Sequence, residues 1–327
     1  MKYPLIIASL VIIFAAVLLA ISFLAPLPLP YNQDFSVLYF SNQALLSGIR
    51  LYDYPAQLTF VRAQTQPGFE FHPYPYPPWY ALSTLFLALL PIQVAARLWF
   101  LLNLTMIGAS VWLLTTPRWP IPLRLFAILG AVMFIPALGL LVVGQYSAPV
   151  LLGAALFIWA AGKESAVGIS LALGLMTFKP HIGLFLALAA FGWLVYRREL
   201  AYARRAILFT VILAILLAGL GFLADPAWPL TYFESLGRYR GLPGVESCGL
   251  CASLSVGIVR VATGQPNVGR AAAVSLLLAA GLAGAFVWRF RARLQESALL
   301  TALSAAFTLL VDPYLLNYDY VLLVVPL

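Results

Sequence analysis

Charge is scarce in this chain. Of 327 residues only 9% are Asp, Glu, Lys or Arg, against 63% hydrophobic, and the mean hydropathy is +0.96. Soluble domains carry about a quarter charged residues, so this composition excludes an ordinary soluble domain. Cysteine is nearly absent too: Cys248 and Cys251, in "ESCGLCASLS", are the whole supply. Two ligands make no structural zinc site, and their spacing suits either a local disulfide in an oxidising compartment or two free thiols. There is no glycine-rich phosphate loop, no HExxH and no GxSxG, which leaves nucleotide cofactors and hydrolytic triads without support. No cluster of carboxylates argues for a metal.

What is abundant is long apolar sequence. Runs fall near 5–25, 78–93, 97–115, 121–143, 147–162, 165–178, 181–196, 206–224, 269–288, 297–311 and from 319 onward. Stretches of this length read as transmembrane helices, so the expected fold class is all-α, a polytopic helix bundle in one integral-membrane domain over 1–327. The first run exceeds a signal-peptide core of about 7–15 residues and leads into prolines rather than a cleavage site, and is taken as a retained helix. The last run stops after about nine residues where a span needs ~20, as expected of a chain cut short at its C-terminus. Two long connections interrupt the pattern, 26–77 and 225–268.

The excess of 19 Lys and Arg over 11 Asp and Glu does not point to nucleic acid. Arg197, Arg198, Arg204 and Arg205, then Arg289, Arg291 and Arg293, lie between apolar runs, where the positive-inside rule places cytoplasmic loops. Lys2 puts the N-terminus inside and both long connections outside. Counting every run as a crossing leaves Arg197–Arg205 outside. The parity is repaired if 121–143 breaks near Pro136 and returns to its starting face, and Gln145 and Lys179 then share the outer face with Asp34.

In the first outer connection, Phe35 to Ser47 shows an amphipathic pattern. Asp34 stands as its N-cap, Gly48 as its stop, and Phe35, Leu38, Leu45 and Leu46 form an apolar side suited to a membrane surface. "HPYPYPPWY" (72–80), which holds Tyr76, is stiff and extended, with Trp79 and Tyr80 suited to the interfacial belt.

The chemically useful residues are the polar ones that punctuate the runs. Asp34 is either a helix cap worth about 1 kcal/mol or a general base where a cavity meets water. Lys179, in "MTFKPHIGLF", either snorkels or faces an anionic head group; His181, two residues on, suits a phosphate or a sugar hydroxyl or a structural place. Gln145 follows a glycine turn. Asp312, Asn317 and Asp319 stand among tyrosines, a mixture that builds either a carbohydrate pocket or an interfacial turn. In 232–251, Arg238 and Arg240 suit an anionic acceptor or a solvated face.

Seven segments occur in a characteristic order: Asp34 after the first run, "SGIRLYDYP" (47–55), "YPYPPWYALSTLF" (74–86), "GQYSAPVLLG" (144–153), "LMTFKPHIGL" (175–184), "SLSVGIVR" (253–260) and "DPYLLNYDYVLLVVP" (312–326). The layout resembles glycosyltransferase family 87, the polyprenyl-phosphate-mannose-dependent mannosyltransferases of the GT-C membrane fold. The resemblance implies a bacterial plasma-membrane enzyme working on the outer face. It would move a sugar, mannose by analogy, from a polyprenyl-phosphate donor to a lipid-linked or glycan acceptor, with membrane lipids as its surroundings and no cofactor. It implies Asp34 as base, Lys179 at the carrier phosphate and Gln145 lining the cavity; the residue types themselves add His181 at that phosphate and Asn317, Asp319 and Tyr76 about the substrate. Where the family often has a histidine near the sugar, this chain reads "LNYDY". A transporter or flippase of lipid-linked sugars would also use a cation near the head group, but needs no base; a non-catalytic envelope scaffold needs neither.

Overall fold

The computed structural model describes residues 34–65, 69–115, 119–290 and 296–325, with side chains omitted for 282–290. The first apolar run, Lys2, Arg289, Arg291 and Arg293 lie outside the described side chains. Every element among the described residues is helical. In chain order these are α1 (Asp34–Leu46), α2 (Tyr54–Arg62), α3 (Pro78–Thr84, continued by a 3-10 turn Leu85–Leu89), α4 (Ile92–Leu114), α5 (Ile121–Met133) and α6 (Ile135–Val143). Then follow α7 (Ser147–Gly162), α8 (Ala166–Met176), α9 (Pro180–Tyr196), α10 (Ala201–Ala224), α11 (Trp228–Arg240), α12 (Pro243–Glu246), α13 (Leu254–Thr263), α14 (Val268–Phe290) and α15 (Ser297–Val311), with a closing 3-10 helix, Asn317–Val324.

Two helices, α4 and α10, are long and apolar enough to cross a membrane, and the pair α5–α6 makes a third if taken as one bent span. α10 leaves Leu208, Ile212, Ile215, Leu216 and Leu223 exposed, the surface of a helix that faces lipid rather than protein. The pair α5–α6 bends by 63°. Phe134 is extended at the break and Pro136 opens the second helix, where its missing N–H costs nothing.

The helices run back and forth between two ends. α4 leads away from Trp99 and α5–α6 lead back, since Trp99 Nε1 donates to the Gly144 carbonyl at 2.9 Å. α7 leads away from Ser147 and α8 returns to Lys179, whose Nζ meets Ser147 Oγ at 3.1 Å. α9 and α10 repeat the excursion, and the Ala224 carbonyl receives the Leu51 N–H at 3.2 Å. The bent pair therefore joins opposite ends instead of returning to its own. The stretch read as a crossing at 78–93 is instead α3 with its 3-10 turn, a short element packed beside α1 at the near end. The short connections of the far end carry Lys163, Arg197 and Arg198, and the helix starts beside them carry Arg124 in α5 and Arg204 and Arg205 in α10.

α1 corrects another expectation. It is a helix over the predicted residues and stops at Gly48, whose φ of +82° suits glycine, with the Ile49 N–H closing on the Ala44 carbonyl at 2.9 Å. It is not an amphipathic surface helix. Phe35, Ser36, Leu38, Tyr39, Phe40, Ser41, Asn42 and Ala44 are all buried. Its polar residues face protein: Ser41 Oγ donates to Gln57 Oε1 and Asn42 Nδ2 to Thr84 Oγ1, both at 3.2 Å. Polar side chains that look outward in sequence are paired inward with α2 and α3.

The connection 225–268 is largely helical. Cys248 and Cys251 form a disulfide, 2.01 Å between sulfurs, buried with Val256, Val259 and Val268. This small core lies against the segment after α15: the Ala252 N–H donates to the Leu315 carbonyl at 3.0 Å.

Candidate active site

The near end gathers three chain breaks. Gly144, at φ +72°, ends α6 with its Cα against Phe35; a Cβ there would stand 2.8 Å from Phe35 Cβ. This close approach sets Gln145, Tyr146 and Ser147 beside the start of α1. The break between α8 and α9 presents Lys179, with Pro180 opening the next helix. The 3-10 helix Asn317–Val324 brings Tyr318 and Asp319, with the Asp319 carboxylate accepting its own helix's Leu316 N–H at 3.2 Å.

These breaks meet in one hydrogen-bonded cluster. Gln145 Nε2 donates to Asp34 Oδ2 and, at 2.8 Å, to Tyr318 Oη. Lys179 Nζ donates to Asp319 Oδ1 at 2.6 Å and to Gln145 Oε1 and Ser147 Oγ at 3.1 Å each. Ser147 Oγ also donates to Asp319 Oδ1 at 2.6 Å. The Tyr146 hydroxyl donates to the Asp34 backbone carbonyl, fixing the first turn of α1. The Tyr318 ring lies 4.7 Å from the Lys179 ammonium, within cation–π range. Lys179 is 2% exposed and Asp319 fully buried, and a buried cation persists only when paired.

Two physical consequences follow. An ammonium has three N–H donors, and Lys179 has given all three to protein. Asp34, by contrast, is half-buried and its Oδ1 takes no hydrogen bond among the described residues. Burial raises its carboxyl above the ordinary value, against the lowering effects of the Gln145 hydrogen bond and the Lys179 and His72 charges. A carboxylate so placed is a better proton acceptor than a solvated one.

An aromatic wall encloses the cluster on the side of α3. Tyr76 packs edge-on to Tyr146 with ring centres 4.6 Å apart, and Tyr80 does the same at 5.2 Å. Tyr80 is fully buried rather than interfacial. Trp79 is half-buried, its Nε1 donating to Thr177 Oγ1 at 3.0 Å, two residues from Lys179. On the opposite side, the His181 ring stands 5.9 Å from Tyr314, and its buried Nε2 has no partner among the described residues. Tyr314 shares a 2.9 Å hydrogen bond with Tyr239 of α11, which brings the second long connection to the site. Arg238 and Arg240 are exposed on that helix.

Of the residues singled out in sequence, the geometry joins Asp34, Gln145, Lys179 and Asp319 directly, with Tyr76 and His181 at the margin. Asn317 is exposed at the head of its 3-10 helix, outside the network. Tyr146, Ser147 and Tyr318 are members that the sequence reading passed over. Tyr146 and Tyr318 are immediate neighbours of residues it selected and Ser147 stands two positions from Gln145, so closeness at a chain break was the available signal. Among the described residues, no three His, Cys, Asp or Glu side chains gather as a metal site.

An all-helical, membrane-apolar protein with an acid, an amide and a cation joined at one end of its bundle is laid out as a membrane enzyme. The family model of glycosyltransferase family 87 matches residues 74–313, most of the chain, and the protein belongs to that family: it is a glycosyltransferase. No curated protein and no solved structure gives a significant match. Tyr76, Gln145, Lys179 and His181 lie within the matched span, whereas Asp34 and Asp319 lie beyond it on either side and join the site through geometry alone.

Proposed function

We propose that this glycosyltransferase moves a sugar, mannose in the first instance, from a polyprenyl-phosphate carrier to a hydroxyl of a lipid-linked or glycan acceptor. The observation that carries the proposal is the continuous path Asp34–Gln145–Lys179–Asp319, which sets a raised carboxylate and a buried cation on opposite sides of one amide. The acceptor hydroxyl gives its proton to Asp34 as its oxygen bonds to the anomeric carbon. The bond from that carbon to the phosphate oxygen breaks and its electron pair leaves on the phosphate. Attack opposite the leaving group inverts the anomeric configuration. A lipid phosphate leaves without a metal when positive charge lies near it.

Lys179 supplies that charge. With its three donors engaged, it acts by its field and by orienting Gln145, and it reaches a phosphate oxygen by exchanging a neutral partner, Gln145 or Ser147. His181 offers an unpartnered nitrogen beside the same break, and the tyrosines, with Asp319, shape the sugar's surroundings. The far-end arginines support an outer-face site in a plasma membrane, because short basic connections stay in the cytoplasm.

The test is sugar transfer from polyprenyl-phosphate mannose in membranes, comparing wild type with Asp34→Asn at matched expression. Loss of transfer with carrier binding retained supports the assignment. Full transfer by the variant reduces Asp34 to a structural residue and moves the base elsewhere.

A further inference from the structure

At the end of the bundle away from the active site, a cavity of about 350 Å³ opens between α4, α5 and the closing 3-10 helix. Its volume falls within the ~300–1,000 Å³ of small-molecule sites. Its walls include Thr115, Trp119, Gly130, Ala131, Phe134 and Val324, and apart from the threonine hydroxyl these side chains offer apolar surface. Leu114 lies fifteen residues along α4 from Trp99, so the outer edge of the cavity stands about 22 Å from the level of the active site at 1.5 Å per residue, while its inner wall at Val324 is five residues, about 10 Å, along the 3-10 helix from Asp319.

The rim of the cavity is cationic. Arg124 Nε donates to Thr115 Oγ1 at 3.0 Å and one Nη2 hydrogen goes to the Trp112 carbonyl at 2.6 Å. Its guanidinium lies 3.3 Å from the centre of the Trp112 ring. A guanidinium has five N–H groups, so three are left, and among the described residues no carboxylate pairs with it. Trp112 stacks on it and Trp119 lines the same cavity, each more than 40% exposed. Exposed tryptophans beside an arginine, at the end of a spanning helix, mark head-group depth. The apolar cavity extends from there toward the bilayer interior.

We propose that this cavity is a binding site for an anionic phospholipid of the cytoplasmic leaflet. The phosphodiester takes the free Arg124 donors and an acyl segment fills the space beside Gly130 and Phe134. A cation without a carboxylate partner favours an anionic over a zwitterionic head group, since the latter brings its own ammonium. The distance to the active site separates this lipid from a carrier that reacts at the other end. Val324 belongs to the same 3-10 helix as Tyr318 and Asp319, so the lipid braces the element that carries these two members of the active-site cluster.

The test uses the full protein in detergent micelles, titrated with dioleoyl-phosphatidylglycerol or dioleoyl-phosphatidylcholine and followed by lipid retention in native mass spectrometry and by thermal unfolding. Wild type should half-saturate at roughly tenfold lower phosphatidylglycerol than phosphatidylcholine. Arg124→Gln should keep acyl binding but lose most of that preference. Gly130→Leu, placed where an added Cβ meets nothing within 4 Å, should fill the cavity and lose both lipids while unfolding no earlier than wild type. Equal affinity of wild type for the two lipids overturns the proposal, as does an unchanged preference in Arg124→Gln. Displacement of phosphatidylglycerol by equimolar polyprenyl phosphate would assign the cavity to the carrier and overturn it too.

Discussion

Asp34 and Lys179 are joined by a single side chain: Gln145 gives its amide hydrogen to the carboxylate and takes the ammonium on its carbonyl, at 3.1 Å from Nζ. The amide fixes the spacing of the two charges and keeps them from collapsing into an ion pair. Lys179 turns instead to Asp319, 2.6 Å away, which leaves Asp34 with its negative charge uncompensated by direct contact.

Replacing that amide should therefore change the acid–base behaviour of the site. In Gln145→Glu, Asp34 loses its donor and gains a like charge, so its carboxyl rises further. Turnover at neutral pH should fall by about 10²-fold or more, and the acidic limb of the pH–rate profile should move to higher pH. Gln145→Leu should also lower turnover, with a smaller displacement of that limb. Rates measured across pH in membranes decide it; an unmoved limb in Gln145→Glu would detach Gln145 from the reacting carboxylate.

The ion pair makes a stability prediction. Lys179→Met leaves Asp319 charged and unpaired in the interior, a loss of about 3–5 kcal/mol. The double variant Lys179→Met with Asp319→Asn should recover much of this, because no lone charge remains, while sugar transfer stays lost. Unfolding of wild type, the two single variants Lys179→Met and Asp319→Asn, and the double variant in one micelle closes the cycle. Additive effects would show that the pair is not coupled.

Asp312 gives a pH dependence of known sign. Burial is the main cause that pushes its carboxyl up to about 7, and its Oδ2 has no partner among the described residues. A folded-state value above the unfolded one means that protonation favours the fold. The stabilisation is present in full below the unfolded value, near 4, and is lost as pH rises through about 7. Asp312→Asn should flatten this dependence and raise stability at pH 8. Thermal unfolding between pH 5 and 8 measures it, and parallel curves for variant and wild type would refute it.

Gly183 holds the break that presents Lys179. A Cβ there would meet the Met176 carbonyl oxygen at 1.7 Å, so α8 and α9 must part to admit it. Gly183→Ala should cost stability toward the upper end of about 1–3 kcal/mol and should lower transfer, although residue 183 meets the cluster only through its backbone N–H, which donates to the Lys179 carbonyl at 2.9 Å. Wild-type stability in this variant would contradict the packing at that junction.

Much of the site was legible before the structure because a charge or amide inside an apolar run is expensive and stands out. Gln145, Lys179 and Asp319 announce themselves that way at the borders of adjoining runs, and Asp34 by its place after the first run. Tyr146, Ser147 and Tyr318 do not, since tyrosine and serine are ordinary at membrane interfaces and carry no penalty large enough to notice. α1 shows the reverse failure. Ser41 and Asn42 look like a solvated face until Gln57 and Thr84, 16 and 42 residues later in the chain, are seen to receive them. A hydropathy pattern records which side chains are polar, not what they meet. The same limit applies to 78–93, whose apolar residues serve the packing of α1 and the aromatic wall rather than a crossing.

The Lys179–Asp319 pair spans 140 positions of sequence, and this fixes when the enzyme can first exist. A ribosome delivers Lys179 long before its counter-ion, so a half-made chain holds an ammonium that must linger near the bilayer surface or find a temporary neighbour. Asp34 is made earlier still and waits for both. On the roles proposed above, the centre is assembled only once the 3-10 helix that carries Asp319 has docked. A ribosome stalled ahead of residue 319 would leave an inserted protein with no working centre.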